Sequence, residues 1–259
     1  MNLSYHQKIL LGCVSGLPAQ EWCRFLIQIY GLKVFGVRQA RNLKLNFHPK
    51  KLKGFGIALR AGSSDVDVLA DLLAFERYLP EELNPQPKFI LDLGANIGCS
   101  TAHFASLFPE ARIFGVELET NNYELALQNT SFYGSRITLI NGGVWSSAGR
   151  AFFSGINNDA FSICPNTENG REVTTLTVDE LIDGYGIPRL DYVKIDIEGA
   201  EQEVLLNCEP KWLEKVLRLS VEIHNAEIKQ KISQRLASYG FRVKDSSRHW
   251  CGLMATRVR

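Results

Sequence analysis

The residues most able to do chemistry fall into two groups. The first lies in FILDLGANIGCS, residues 89–100, where Asp92, Gly94, Asn96 and Gly98 occupy the turn that follows an apolar run. Glycine reaches backbone conformations closed to other residues and lets a ligand or a second element approach closely. Asn96 offers an amide to a carboxylate or amino group, and Asp92 offers a negative charge to an ammonium, which suits an amino-acid-bearing nucleoside. The pattern is not G-x-G-x-x-G, because position 96 is Asn and the glycines stand four apart. A pyrophosphate cradle therefore lacks its middle element, and dinucleotide binding is disfavoured. Glu117 closes the next apolar run in GVELE, where an acid accepts hydrogen bonds from ribose hydroxyls.

The second group is Asp196 and Glu198 in KIDIEG and His224 in VEIHN. On strands, Lys194 and Asp196 share a face, as do Glu222 and His224, so one sheet edge can gather acids and an imidazole around an acceptor. His224 is the leading general-base candidate, since an unperturbed imidazole titrates near pH ~6.5. Asp196 and Glu198 alternatively bind a divalent metal through hard carboxylate oxygens. Glu198 alternatively stabilises the N-terminus of the helix AEQEVLLN. His103, inside the helix after the glycine turn, reads as structural.

The elements that must position these groups alternate short β-rich runs with helical periodicity from residue 88 onward, the pattern of a doubly wound α/β domain. KFILDL predicts a central parallel strand, followed by a helix over GCSTAHFASLF and a strand over ARIFGVEL. TNNYELALQNTSFYG predicts a helix capped by Thr120. Further strands are expected at RITLINGG, LDYVKID and KVLRLSVEI, with helices at TVDELIDGY, AEQEVLLN and AEIKQKISQRLASYG. The tail FRVKDSSRHWCGLMATRV predicts two antiparallel strands that close the sheet. GINNDAFSICPNTENG, residues 155–170, reads as a specificity loop. Before the main domain, QEWCRFLIQIYGLKVFG reads as helical and NLKLNF with GFGIALR as paired strands. SSDVDVLADLLAFERYL reads as a helix capped by Ser63 or Ser64, and Arg60, Ser64, Asp65 and Tyr78 are placed at the cofactor mouth. HPKKLK, residues 48–53, is the only charge run and reads as a solvated hairpin turn.

Composition bounds the partners. The 259 residues carry 29 Lys+Arg against 28 Asp+Glu, so no basic field draws the chain to nucleic acid or anionic membrane, and a small partner is expected. A homo-oligomer is compatible with this composition. The six cysteines show no CxxC pair and no metal-ligand spacing, which predicts free thiols in a reducing, cytoplasmic compartment. No stretch approaches the ~18 apolar residues of a membrane span.

Three stretches together resemble the FkbM family of S-adenosylmethionine-dependent methyltransferases: LDLGANIG with FPEARIFGVE, TLTVDELI, and DYVKIDIEGAEQEVL with VEIH. The resemblance runs roughly over residues 58–245, and VKIDIEGAE is its most specific part. It implies an α/β fold of the class I methyltransferase (Rossmann-like) type, a seven-stranded, mostly parallel sheet with a C-terminal antiparallel hairpin. Residues 1–57 are then an N-terminal α+β appendage and 58–259 the methyltransferase domain. S-adenosylmethionine is the implied cofactor, with Asp92, Gly94, Asn96 and Gly98 around its methionine portion, Glu117 at the ribose, and adenine near Gly143 and Val144. The implied reaction is oxygen methylation of a small molecule or carbohydrate, with His224, Asp196 and Glu198 as catalytic candidates. Where the family often has Pro and Asp after the ribose acid, this chain has Leu118-Glu119, which leaves the geometry of that loop open. The alternatives are a noncatalytic methyltransferase-fold binding or assembly protein and a nicotinamide-dependent oxidoreductase, the latter opposed by Asn96 and the final hairpin.

Overall fold

A computed structural model of the protein describes residues 3–31, 43–80, 86–156, 160–163 and 171–258. From the N-terminus, helices α1 (Tyr5–Gly16) and α2 (Ala19–Leu26) precede an antiparallel pair, β1 (Lys44–Phe47) and β2 (Ile57–Arg60), and a short helix α3 (Asp65–Ala70). The apolar start of the chain is thus a helix. Ser4 and Gln7 close a capping box at its first turn. Gly12 and Gly16 let α1 lie on the π-helical turn Asp71–Phe75, since a Cβ at these positions would come within 2.9 Å of Ala74 and 2.7 Å of Leu73.

The main domain continues through β3 (Phe89–Leu93), α4 (Cys99–Leu107), β4 (Arg112–Glu117), α5 (Thr120–Thr130), β5 (Ile137–Asn141) and β6 (Gly143–Val144). Next come β7 (Gly149–Ile156), β8 (Ala160–Ile163), β9 (Arg171–Leu176), α6 (Val178–Gly184), β10 (Tyr192–Ile195) and α7 (Glu201–Leu205). The chain ends with β11 (Arg218–Glu222), α8 (Ala226–Ser238), β12 (Phe241–Asp245) and β13 (Gly252–Arg257).

Seven strands form the central sheet in the order β12-β13-β11-β10-β3-β4-β5. All pairings are parallel except those of β13, which is antiparallel to both β11 and β12. The strand count and terminal hairpin match the sequence expectation. The central strands are apolar because both faces are covered. One face packs Ile90, Phe104, Ile113 and Tyr192 against the N-terminal residues Ile9, Phe25, Phe47 and Leu72. The other packs Leu91, Val116, Val193 and Val221 against α6 and α8 through Leu181 and Leu236. The chain winds outward from β3 through β4 to β5, then returns to β10 on the other side. The carboxyl ends of β3 and β10 therefore flank the switch point, where the diverging connections leave a crevice.

Several sequence expectations need correction. Residues 155–170 are not wholly a loop: β7 and β8 form a hairpin within a second sheet, order β6-β9-β7-β8, while 157–159 and 164–170 lie outside the described residues. Helix α5 is capped by Glu119, whose carboxylate accepts from Asn122 N at 2.8 Å; Thr120 instead turns its hydroxyl toward Asn141. At α3, Ser64 occupies the cap position without a side-chain bond, and Ser63 Oγ accepts from Asp65 N at 3.2 Å. The basic run at 48–53 does form the turn between β1 and β2, yet Leu52 is buried and Lys51 Nζ donates to the carbonyls of Leu72 and Leu73.

Candidate active site

The glycine turn at the end of β3 is three left-handed residues in alternation, Gly94 at φ +81°, Asn96 at +50° and Gly98 at +84°. Each bend has a different cause. A Cβ on Gly94 would lie 1.8 Å from the carbonyl oxygen of Asp196, so the turn passes directly against the end of β10. The N–H groups of Gly94 and Ala95 both donate to Val116 O, fixing the turn to β4. Asn96 tolerates the left-handed region because its side chain closes locally, Oδ1 accepting from Ile97 N at 2.7 Å. Gly98 caps α4 and faces α5, where a Cβ would come 3.1 Å from Ala126 Cα and from Thr130 Cγ2. It serves helix packing and borders neither cleft described below.

Two clefts open on either side of this turn and share Gly94, Asn96, Asp196 and Glu198 as a common wall. The first, about 670 Å³ including its open mouth, lies over β4 and is bordered by Glu117, Leu118, Asn122, Gly143 and Val144. Glu117 is buried there. Its Oε2 accepts from Asn96 N at 2.8 Å and its Oε1 from Glu119 N at 2.9 Å. Burial raises its carboxyl above the ordinary range, and these backbone donors oppose the rise. The Leu118-Glu119 departure is thereby accounted for locally: Glu119 gives its amide to Glu117 and its carboxylate to the cap of α5.

The second cleft, about 1070 Å³ including its open mouth, lies over β10 and β11 and gathers ionisable side chains among apolar ones such as Val68, Ile195 and Val221. The β3–β10 register sets Lys194 beside Asp92. Lys194 Nζ lies 3.2 Å from Asp92 Oδ1 and 3.4 Å from Asp196 Oδ2, and donates to Gly94 O at 2.8 Å. Burial works against its charge, but the two carboxylates outweigh it and hold the ammonium above the ordinary lysine value. Asp92 itself is fully buried, its other oxygen accepting from the Ser100 and Thr101 hydroxyls. The ammonium that Asp92 meets here is that of Lys194.

Asp196 and Glu198 border both clefts. Burial, then the neighbouring Asp196, raises the Glu198 carboxyl. Glu198 adopts φ +50°, and the helix-start role considered for it belongs to Glu201, whose carboxylate accepts from Ile197 N and Gly199 N. Glu222 lines the larger cleft and is pushed up to about 8 by burial and by Asp196. His224 is more exposed. Its Nε2 lies 3.3 Å from Glu222 Oε1, so it reaches the cleft through that carboxylate.

The terminal hairpin brings two groups that sequence reasoning missed. His249 borders the larger cleft with Nδ1 3.5 Å from Glu222 Oε2, and burial lowers it to about 4. Cys251 Sγ lies 3.6 Å from Glu222 Oε1, and burial pushes the thiol up to about 12. Linear cysteine spacing gave no ligand set, whereas strand pairing of Glu222 with Gly252 delivers Cys251 to the edge of β11. The SRHWC turn is the signal that, with this pairing, could have found them. Asp71 was also missed; it lines the same cleft from the π-helical turn. Of the residues placed at the mouth, Ser64 and Tyr78 border this cleft, while Arg60 and Asp65 form a bidentate pair. His103 is buried beneath Tyr78, its Nδ1 3.0 Å from the phenol oxygen, in keeping with a structural role.

The model of the methyltransferase FkbM domain family matches residues 92–243, over half of the chain. The chain belongs to this family. Hexuronic acid methyltransferase AglP of Haloferax volcanii is 28% identical over 151 residues, covering 57% of this chain and 60% of that protein. Methyltransferase sdnD of Sordaria araneosa is 25% identical over 203 residues, covering 64% and 78% respectively. Among solved structures, precorrin-6y C5,15-methyltransferase of Geobacter metallireducens aligns with a TM-score of 0.42 at 15% identity, covering 68% of this chain and 84% of that one. Residues 92–243 thus form an FkbM methyltransferase domain, carried on the seven-stranded, mostly parallel sheet described above. The present chain spans about 60% of the length of AglP.

The cofactor implied by this family is S-adenosylmethionine, and the first cleft fits its nucleoside. Gly143 and Val144, which form β6, would offer backbone and one small side chain to a flat ring, and Glu117 would offer carboxylate oxygens to hydroxyls. The wall shared by both clefts would stand beside the methionine portion, with Asn96, Asp196 and Glu198 the polar side chains there.

Proposed function

We propose that this FkbM methyltransferase methylates a hydroxyl oxygen of a sugar or another small hydroxylated molecule, with residues 58–259 as the catalytic unit, 1–57 as its appendage, and a cytoplasmic setting. The observation that carries this reading is the acid wall, Asp196 and Glu198, which borders the nucleoside cleft on one side and the larger cleft on the other. S-adenosylmethionine supplies an electrophilic methyl group on a positively charged sulfur. What the chain must add is in-line placement of the acceptor oxygen and a group to take its proton. Asp196 and Glu198 stand where either carboxylate would take the hydroxyl proton when the bound cofactor gives up its methyl group. The raised Glu198 carboxyl suits a group that must hold that proton near neutral pH. Lys194 fixes Asp196 and the Gly94 carbonyl in place, and His224 acts through Glu222 as a positioning residue.

The name of AglP, a hexuronic acid methyltransferase, supports a carbohydrate acceptor. The test is methyl transfer from isotopically labelled S-adenosylmethionine to hexuronic acids, neutral sugars and non-sugar alcohols. The expected product holds the label as an ether that survives mild alkali. Label released by alkali as an ester, or retained on nitrogen or carbon, would overturn oxygen methylation of a hydroxyl. Failure to bind S-adenosylmethionine in calorimetry would revive the noncatalytic reading.

A further inference from the structure

At the edge of the larger cleft, three side chains of different chemistry converge from two strands. Glu222 ends β11, His224 follows two residues later, and Cys251 arrives from the turn that leads into β13. The segments are tied together by the bond from Ile223 N to Cys251 O at 3.0 Å. The donor atoms of all three side chains lie within 4.8 Å of one another.

We propose that Glu222, His224 and Cys251 form a three-ligand site for a zinc-class divalent transition ion at the edge of the larger cleft. The spacing matches the ion's coordination. Bonds of about 2.0 Å to nitrogen and oxygen and about 2.3 Å to sulfur, at tetrahedral angles, give an N···O edge near 3.3 Å and an S···O edge near 3.5 Å. The edges here are 3.3 Å from His224 Nε2 to Glu222 Oε1 and 3.6 Å from Cys251 Sγ to the same oxygen. Without an ion these are a weak S–H···O bond and a long N···O contact on one oxygen. One ion bound by all three side chains has the same edges.

The donor set also selects the metal. Thiolate with imidazole suits zinc, cobalt or ferrous iron and disfavours magnesium, which takes oxygen ligands. Binding releases the Cys251 thiol proton to solvent while His224 donates a neutral nitrogen lone pair. Glu222 Oε2 remains free to be held by His249, whose Nδ1 lies 3.5 Å away. His224 is exposed, which leaves an entry path, and three protein ligands leave one position open. Glu222 borders the cleft that Asp196 and Glu198 also line, so an ion it holds would sit at that cleft's edge. Its use there, making the hydroxyl more acidic before a neighbouring carboxylate takes the proton, rests on the oxygen-methylation reading.

The site is tested without cofactor or acceptor, so its failure is separate from failure of that reading. The full chain is stripped with a chelator, checked for native circular dichroism, and titrated with Co²⁺ and then Zn²⁺. One Co²⁺ per chain is expected, with the intense visible bands of tetrahedral cobalt and a near-ultraviolet sulfur-to-cobalt charge-transfer band, both removed by Zn²⁺. Cys251→Ser should abolish the charge-transfer band and weaken Co²⁺ binding at least tenfold. His224→Ala should weaken it at least tenfold while keeping the sulfur band at saturating cobalt. Cys23→Ser, at an exposed cysteine, should change neither. An octahedral cobalt spectrum on the folded chain, or equal binding by the wild type and Cys251→Ser, would overturn the site.

Discussion

The two clefts on either side of Gly94 are built from different materials. Beyond the shared Asp196 and Glu198, the nucleoside side is mostly backbone, small residues and one further acid, Glu117, whose oxygens are already met by amides. The opposite side is a set of charges, Asp71, Lys194, Asp196 and Glu222, drawn from elements far apart in the chain. Backbone donors recognise a fixed ligand at little electrostatic expense, whereas buried charges are held against their own desolvation and stand ready to exchange protons. On the proposed reading, one half of the site is shaped for holding and the other for reaction.

The contrast breaks most completely at the shared wall. Gly94→Ala places a Cβ against Asp196 O in a left-handed turn, and both clefts should collapse together. The expected loss exceeds ~4 kcal/mol or yields no folded protein, read by urea unfolding and by soluble yield. A well-folded Gly94→Ala that still binds S-adenosylmethionine would show that the wall is not shared.

Lys194→Met acts first on the charged side, leaving Asp92 buried without its ionic partner and freeing the Gly94 carbonyl. A loss of ~3–5 kcal/mol is expected, with much of it restored by adding Asp92→Asn, because the penalty belongs to the orphaned charge. Two additive losses in this double-mutant cycle would remove the ion pair from the account.

On the nucleoside side, Glu117→Gln should weaken S-adenosylmethionine tenfold to a hundredfold, about 1.4–3 kcal/mol, with little change in acceptor KM. Calorimetry supplies the first number and steady-state kinetics the second. Equal losses in both would mean that the clefts are not separable.

The smallest expected effect is on Asp71, whose carboxyl burial raises to about 6, with the nearby Arg77 opposing the rise. An acid with a raised folded value costs stability as pH climbs from its ordinary value, near ~3.8, through 6, so the cost is complete at pH 7. Asp71→Asn should therefore gain ~1 kcal/mol at pH 7, reduced by the lost Arg77 pair, and nothing below pH 4. Urea midpoints at the two pH values decide it; a gain of equal size at both would point to packing rather than charge.

The same contrast explains what could be read without coordinates. Glycines at the end of an apolar strand and an acid closing the next one are local signals, and Gly94, Glu117, Gly143 and Val144 do border one cleft. Apolar runs with terminal breakers likewise foretold seven strands and the hairpin. Gly98 was read as a ligand or strand contact because nothing local distinguishes that from the helix crossing it serves. The pairing of Asp92 with Lys194 depends on a parallel register between residues a hundred positions apart. His249 and Cys251 reach Glu222 only through an antiparallel pairing whose register a single chain does not spell out. Charge-built sites are harder to read because their members carry no shared local pattern.

The two glycines of α1 set how near that helix lies to the Asp71–Phe75 turn, and this turn supplies one side of the larger cleft. The family match begins only at residue 92. On the proposed reading, the fitting that admits the acceptor is partly carried by a stretch outside the matched family sequence. A bulkier residue at Gly12 or Gly16 would push the 71–75 turn inward and retune which molecules are accepted while the methyl-donor half stayed as it is, much as changing the jaw of a chuck leaves the motor untouched.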